Sequence, residues 1–355
     1  MPAHAPVALV SNDQRLAADV RRLCAVAGLE LQIVAAGPDV VRSWRQAAVV
    51  IVDAELAAFI DPVTGGGRRE HVVLVAPDVD RLDVWRNATR LGAEQVFTLP
   101  ADDGRLVDHL TLAAMPAGVC GPVLGVMPGS GGAGASTLAV AVAAAAARRP
   151  AGATLVDADP LAGGLDLLLG AEHIRGARWT ELADVRGLVD PGALAESLPA
   201  VNGLRLLSGD RGGTEPPVEA MAALLAALRG LGSPVVVDLP HRPGAAAERA
   251  AGMCTGVVVV VLGEVRAAAA AARVAASAAR CCDDVRVVVR VGPRSRLRPA
   301  EVSAAVGLPL LGVLQSDPAV AAAADRGDLA RGAAGGLAGV AGDVIGWLDA
   351  LVAAS

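Results

Sequence analysis

The sequence predicts an α/β protein built on parallel sheets. Short apolar runs that end in polar or acidic residues recur along it, at 7–10 (VALV), 49–52 (VVIV), 72–75 (VVLV), 123–127 (VLGVM) and 235–237 (VVV). Stretches long enough for helices lie between them, the spacing of parallel strands joined by crossovers. An uncharged stretch with proline and glycine, 111–121, interrupts the pattern near one third of the chain and divides it in two.

In the first part, strand 7–10 is followed by Ser11-Asn12-Asp13 and a helical pattern to about residue 27. Strand 49–52 ends at Asp53, and strand 72–75 runs into Ala76-Pro77-Asp78. A helix is expected over 79–91 and a last strand over 96–98. Asn12, Asp13 and Asp53 fall at the carboxyl ends of strands, where open α/β sheets place functional groups.

The second part opens on strand 123–127, a glycine-rich loop from Pro128 to Gly134, and a long apolar segment from Leu138 to Ala147. Strand, glycine loop and helix together make a phosphate nest: backbone N–H groups converge and the helix amino terminus adds its positive dipole. The segment is apolar all round, so the helix should be buried. Two later strands end in carboxylates, at Asp157 and Asp159 and at Asp238. A carboxylate in the position of Asp238 suits magnesium.

Composition limits the chemistry. The 355 residues are 54% hydrophobic and 19% charged, with a net charge of -6. Disorder throughout and a strongly basic nucleic-acid surface are both disfavoured. All 31 basic residues are arginine. Schiff-base chemistry and an ordinary phosphate-binding lysine are therefore excluded. Five cysteines form no C-x-x-C pair and no zinc spacing with the five histidines, so they are expected to be buried apolar residues in a reducing cytoplasm. The uncharged region 110–147 carries prolines and glycines that would break a lipid-exposed helix, and 257–262 is too short to span a bilayer. No integral membrane segment and no signal peptide are expected. The segment 341–354 has no basic residue and should pack on its own domain.

The segment Leu91–Pro100, with Asp53 and Asn12-Asp13, resembles response-regulator receiver domains. There an acidic pair binds magnesium, an aspartate is phosphorylated and a lysine contacts the phosphoryl group. Asp53 stands at the phospho-acceptor position, Leu99 where the lysine belongs and Ala76 where a hydroxyl belongs. A leucine cannot pair a phosphoryl group, so residues 1–115 are expected to be a degenerate receiver, a docking module rather than a phosphorylated switch.

The glycine loop, the Asp157–Asp159 strand end, Asp238, and Leu314–Val320 together resemble the MinD/ParA branch of P-loop ATPases. The degenerate receiver in front and a loop ending G-A-S-T are similar to the CpaE/TadZ group within that branch. The resemblance implies two doubly wound parallel-sheet domains, 1–115 and 122–355, with a linker at 116–121. It places Gly131, Gly132 and Gly134 in the phosphate loop, Ser136 and Thr137 at its hydroxyl positions, and Ser136 with Asp238 on Mg2+. Asp157 contributes to the nucleotide site, Asp159 lies near the attacking water, and Gly164 with Asp166 belongs to the dimer interface. Ser130 and Ala135 occupy the branch's two lysine positions, and Arg290-Val291-Gly292 stands where a base-contacting Asn-Arg is common.

The expected function is that of a positioning scaffold that binds ATP or ADP with Mg2+ weakly through a lysine-free loop. Hydrolysis should be slow or absent, unless Arg148, Arg149, Arg242 or Arg266 supplies the missing cation. The resemblance implies a homodimer with a protein partner reached through the first domain. Its location would be cytoplasmic, with recruitment by a partner to the inner membrane face, a pole or the septum. Division-septum placement and localisation of a type IV or Flp-like pilus or secretion machine both fit. A phospho-switch at Asp53 and DNA partitioning are further readings, the second resting on arginines 286, 290, 294, 296 and 298 and opposed by the acidic net charge.

Overall fold

The computed structural model describes residues 6–35, 38–60, 71–78, 81–113, 120–209, 215–332 and 335–354. The expected linker lies outside them except for Cys120 and Gly121. The chain forms two compact units, residues up to 117 with 186–188, and the remainder.

The first unit is a five-stranded parallel sheet of β1 (Val7–Val10), β2 (Leu31–Val34), β3 (Val49–Asp53), β4 (Val72–Val75) and β5 (Gln95–Phe97), in the order β2-β1-β3-β4-β5. Its central strands are apolar on both faces because both are covered. Val7, Leu9, Val49, Ile51 and Val73 point to one layer, where they meet Leu23, Leu106 and Leu110 of the helices Gln14–Val26 and Asp103–Ala113. Ala8, Val10, Val50, Val52 and Leu74 point to the other, against Val40, Trp44, Val84 and Leu91. The period-two alternation of the pleat thus sorts one apolar run into two cores. The expected strands fall within a residue of the observed ones. Edge strand β2 is the addition: its middle residues, Gln32 and Ile33, are exposed, so no apolar run marks it.

The second unit is an eight-stranded sheet. Its strands are β6 (Val123–Pro128), β7 (Ala153–Asp157), β8 (Ala200–Val201), β9 (Leu204–Leu207), β10 (Val235–Asp238), β11 (Gly256–Leu262), β12 (Val285–Val291) and β13 (Leu310–Gln315). Their order is β13-β12-β11-β6-β10-β7-β9-β8, and every neighbouring pair is parallel except β8 with β9. The order reverses around β6, which sits between β11 and β10. That switch point opens a crevice at the strands' carboxyl ends.

The helix Ala135–Ala147 follows β6 and is buried along nearly its whole length, as its uniformly apolar sequence requires. Alanine lets the helix Gly336–Ala354 approach it closely, and the two share one core through Leu337, Val344, Ile345 and Leu348. Among the described residues, Gly336–Ala354 is the one helix long and apolar enough to cross a membrane. Its apolar face is packed into this core, with Trp347 beneath the Arg286 guanidinium (5.4 Å) and Asp349 paired with Arg149 (2.7 Å).

All five cysteines are free, but the expectation that all are buried needs correction. Cys24 and Cys282 are buried, Cys254 and Cys281 are half-buried, and Cys120 is exposed. Burial pushes the Cys24 thiol up to about 11, which keeps it protonated and inert.

Candidate nucleotide site

The site is assembled where β6, β7 and β10 end. Parallel register sets Asp157 opposite Asp238 on adjacent strands, so two carboxylates meet at one sheet end. Between β6 and its helix the chain turns on Gly132 (φ +73°) and Gly134 (φ +96°), backbone that favours glycine. Gly129 donates its N–H to Val260 O at 2.8 Å, anchoring the loop to β11. A Cβ placed on Gly131 or Gly132 would meet no atom within 4 Å, so the cradle is open there. Ala135, Ser136 and Thr137 form the first turn of the helix, with N–H groups that have no intrahelical partner and face this cradle.

Asp238 is 1% exposed. Burial holds its carboxyl well above the usual carboxylate range, a hydrogen bond from Ser136 opposes the shift, and Asp157 and Asp159 add to it. Its Oδ2 has no hydrogen-bond partner, and neither does the buried hydroxyl of Ser130. Asp157 is raised to about 6, chiefly by burial. It accepts from Leu165 N (3.1 Å), Asp159 N (3.2 Å) and Ser208 Oγ (3.4 Å). Trp179 lies beneath it and donates Nε1–H to Asp157 O at 2.7 Å. Asp159 is half-buried, and its Oδ1 accepts from Leu161 N at 3.0 Å.

These residues fit a magnesium nucleotide. An orphaned carboxylate oxygen on Asp238, a neighbouring hydroxyl on Ser136 and an open glycine cradle are the donor set such a complex needs. A divalent cation would also reverse the burial shift of Asp238, since it stabilises the ionised form.

The cation at this loop is one that sequence reading assigned elsewhere. Arg290, at the end of β12, donates Nε–H to Ser316 Oγ (3.1 Å) and Nη1–H to Gly132 O (3.4 Å). Its Nη1 lies 3.1 Å from where a Cβ on Gly134 would stand. Of the four arginines expected as substitutes, Arg148 and Arg149 lie at the far end of the helix, about 20 Å along its axis, where they meet Ala144 O and Asp349. Arg242 and Arg266 are exposed and make no hydrogen bond to the loop. The arginine cluster is also dispersed: Arg286 covers Trp347, Arg290 reaches the loop, Arg294 pairs with Glu264 and Arg298 with Glu301. The expected interface residue Asp166 is 4% exposed and accepts from Leu167 N at 3.0 Å; the large apolar side chains exposed in that region are Leu161 and Leu167.

In the first unit, Asp53 accepts from Ser11 Oγ (2.7 Å) and Glu55 N (3.0 Å), capping a short helix. Asn12, Asp13, Asp53, Ala76 and Leu99 line one cavity of about 460 Å3. The apolar Leu99 and Ala76 thus share a cavity lining with the aspartate.

The profile of the Rv3660c-like, CheY-like N-terminal domain matches residues 10–119. Over 310 residues the chain is 36% identical to protein Rv3660c of Mycobacterium tuberculosis strain H37Rv, covering 86% of this chain and 87% of the relative. Protein MT3760 of strain CDC 1551 matches equally. The chain belongs to the Rv3660c-like family. Solved structures resemble the second unit of this Rv3660c-like chain. The ParA family ATPase of Chlorobium tepidum superposes with a TM-score of 0.55 at 16% identity, covering 65% of this chain and 98% of that one. The cell division ATPase MinD of Pyrococcus furiosus gives 0.54 at 18%, covering 64% and 99%. The septum site-determining protein MinD of Pyrococcus horikoshii, complexed with Mg-ADP, gives 0.55 at 17%, covering 65% and 98%. The Rv3660c-like chain thus pairs a CheY-like domain with a MinD/ParA fold.

Proposed function

We propose that this chain is a septum site-determining regulator of the Ssd type, a positioning scaffold that holds ATP or ADP with Mg2+ and hydrolyses it slowly or not at all. Its domains would be 1–115 and 122–355. Gly131, Gly132, Gly134, Ala135, Ser136 and Thr137 would cradle the phosphates, with Ser136 and Asp238 on the cation and Asp157 beside them. Arg290 would supply the charge that Ser130 and Ala135 cannot. The observation that carries the reading is the Arg290 guanidinium on the carbonyl of Gly132, facing a loop whose other donors are uncharged. Mg-ADP bound to a MinD of the same fold supports it.

Calorimetry with Mg-ATP and Mg-ADP, run beside phosphate release, tests this. Binding without release supports the scaffold, and Arg290→Ala should then weaken binding about tenfold or more, the loss of a charge-assisted hydrogen bond. No binding to the wild-type chain would make the loop a relic. Release abolished by Asp159→Ala would support the second reading, an ATPase that uses Arg290 in place of lysine.

The first unit would dock a protein partner, of the division apparatus or of a pilus or secretion machine. Phe59, Leu82 and Trp85 support this: they are large, apolar and exposed on neighbouring segments. Such a partner would bring a cytoplasmic chain to the membrane, a pole or the septum. The acidic net charge and the dispersed arginines argue against nucleic acid.

A further inference from the structure

Histidine is scarce in this chain, five residues in 355, yet two of the five meet at one carboxylate. His71 immediately precedes β4, Glu94 immediately precedes β5, and His109 lies on the helix Asp103–Ala113. All three sit toward the amino ends of the strands, the opposite end from the cavity that holds Asp53. His71 Nδ1 lies 3.5 Å and His109 Nε2 3.6 Å from the same oxygen, Glu94 Oε2. Both nitrogens are buried and neither makes a hydrogen bond. Two partnerless ring nitrogens facing one oxygen, each beyond ordinary hydrogen-bond distance, call for an explanation.

We propose that His71, Glu94 and His109 bind one divalent transition-metal ion, Zn2+ being the best match. Zn–N and Zn–O bonds of about 2.0–2.1 Å at tetrahedral angles put neighbouring ligand atoms about 3.3 Å apart. Two of the three edges are already within a few tenths of an ångström of that, and all three ligand atoms lie within 4.8 Å of one another. The last edge closes by turning the half-exposed His71 ring. Two imidazoles select a borderline metal over Mg2+ or Ca2+, which want oxygen throughout.

The surroundings hold this geometry in place. His71 N donates to Glu94 Oε1 at 2.7 Å, which fixes the carboxylate and turns Oε2 toward the rings. Glu94 N donates to Val72 O and Val50 N to His71 O, so both backbones are tied to the sheet. His71 is held at φ +60°, a left-handed conformation unusual for a side chain of its size and one that concentrates at functional positions. His109 forms the floor, with its side chain 12% exposed, while His71 and Glu94 leave a path for the ion and a fourth position for water. The ion would clamp the helix Asp103–Ala113 to two strand ends, and because the unfolded chain lacks the site, binding would stabilise the first unit.

Zn2+ alone, without nucleotide, is titrated into the full-length, metal-stripped chain by calorimetry, with Co2+ as the spectroscopic probe. The expected result is one equivalent bound and a rise in the melting temperature. The Co2+ spectrum should be tetrahedral and lack thiolate charge-transfer absorption, which separates this site from the five cysteines. His109→Gln and Glu94→Gln should each weaken binding at least about tenfold and remove the melting shift. Their metal-free far-UV dichroism should match the wild type. Asp238→Asn and Asp53→Asn, which alter the two carboxylate sites elsewhere, should leave the equivalent unchanged. Failure of the wild-type chain to take up Zn2+ or Co2+ would overturn the proposal. So would undiminished uptake in both His109→Gln and Glu94→Gln, or a spectrum dominated by thiolate.

Discussion

Asp238 is pulled in two directions. Its buried carboxyl has a Ser136 hydrogen bond on one side and an unpartnered Oδ2 on the other, which suits a cation and penalises the empty protein. Asp238→Asn should therefore raise the stability of the nucleotide-free chain by about 1 kcal/mol or more, since it removes an ionisable group whose buried form resists ionisation. The same variant should lose the Mg2+-dependent part of nucleotide binding. Thermal unfolding with and without Mg-ADP reads both effects. Asp157 gives a pH dependence of defined sign. Its folded value of about 6 lies above the ordinary 3.8, so the folded state holds a proton that the unfolded chain releases. Stability from this group is undiminished below about pH 4, falls as pH rises through 4 to 6, and levels off above 6. The cost at neutral pH is about 3 kcal/mol. The nucleotide-free chain should thus gain stability when pH is lowered from 7.5 to 5.5, and Asp157→Asn should reduce that gain, leaving the part due to Asp238, whose carboxyl is also held above its ordinary range. A flat wild-type profile would mean that Asp157 is ionised at little cost.

The glycine loop and the last helix were legible as elements because each is written in contiguous residues. The run of glycines after an apolar strand implied a turn with left-handed backbone, and Gly132 and Gly134 supply it. Asp157 and Asp238 were legible for the same reason, each closing a strand that the apolar run had already marked. Arg290 was not, because its place depends on strand order: β12 is two strands from β6, and only the assembled sheet brings its end over the loop. The three metal-type ligands were missed likewise, since they converge from two strand starts and a helix with no fixed spacing in sequence. Strand β2 escaped because its exposure breaks the apolar run. Trp347 of the helix Gly336–Ala354 is 8% exposed within the core shared with Ala135–Ala147. Trp347→Ala should cost about 3–5 kcal/mol, measured by denaturant unfolding. A loss below about 1 kcal/mol would indicate that the helix is held loosely on its domain.

A chain without lysine would have to place the weight of the proposed nucleotide binding on backbone amides and, among the described residues at the loop, on the Arg290 guanidinium. A site so built would hold the proposed nucleotide weakly in one copy, and assembly would be a means of strengthening it. Leu161 is 88% and Leu167 43% exposed on the segment that follows Asp159. Their burial against a second copy would cover the nucleotide and remove apolar surface from water together. Linkage then requires nucleotide to favour the dimer as much as the dimer favours nucleotide. Sedimentation velocity should show a monomer without ligand and a dimer with Mg-ATP. Leu161→Asp should keep the monomer folded, abolish the nucleotide-driven dimer and weaken Mg-ATP binding without touching any group that contacts the phosphates. A dimer that persists in Leu161→Asp would move the interface elsewhere. A wild-type chain that binds Mg-ATP yet stays monomeric would uncouple nucleotide from assembly, leaving the exposed residues of the first unit as the route to its partner.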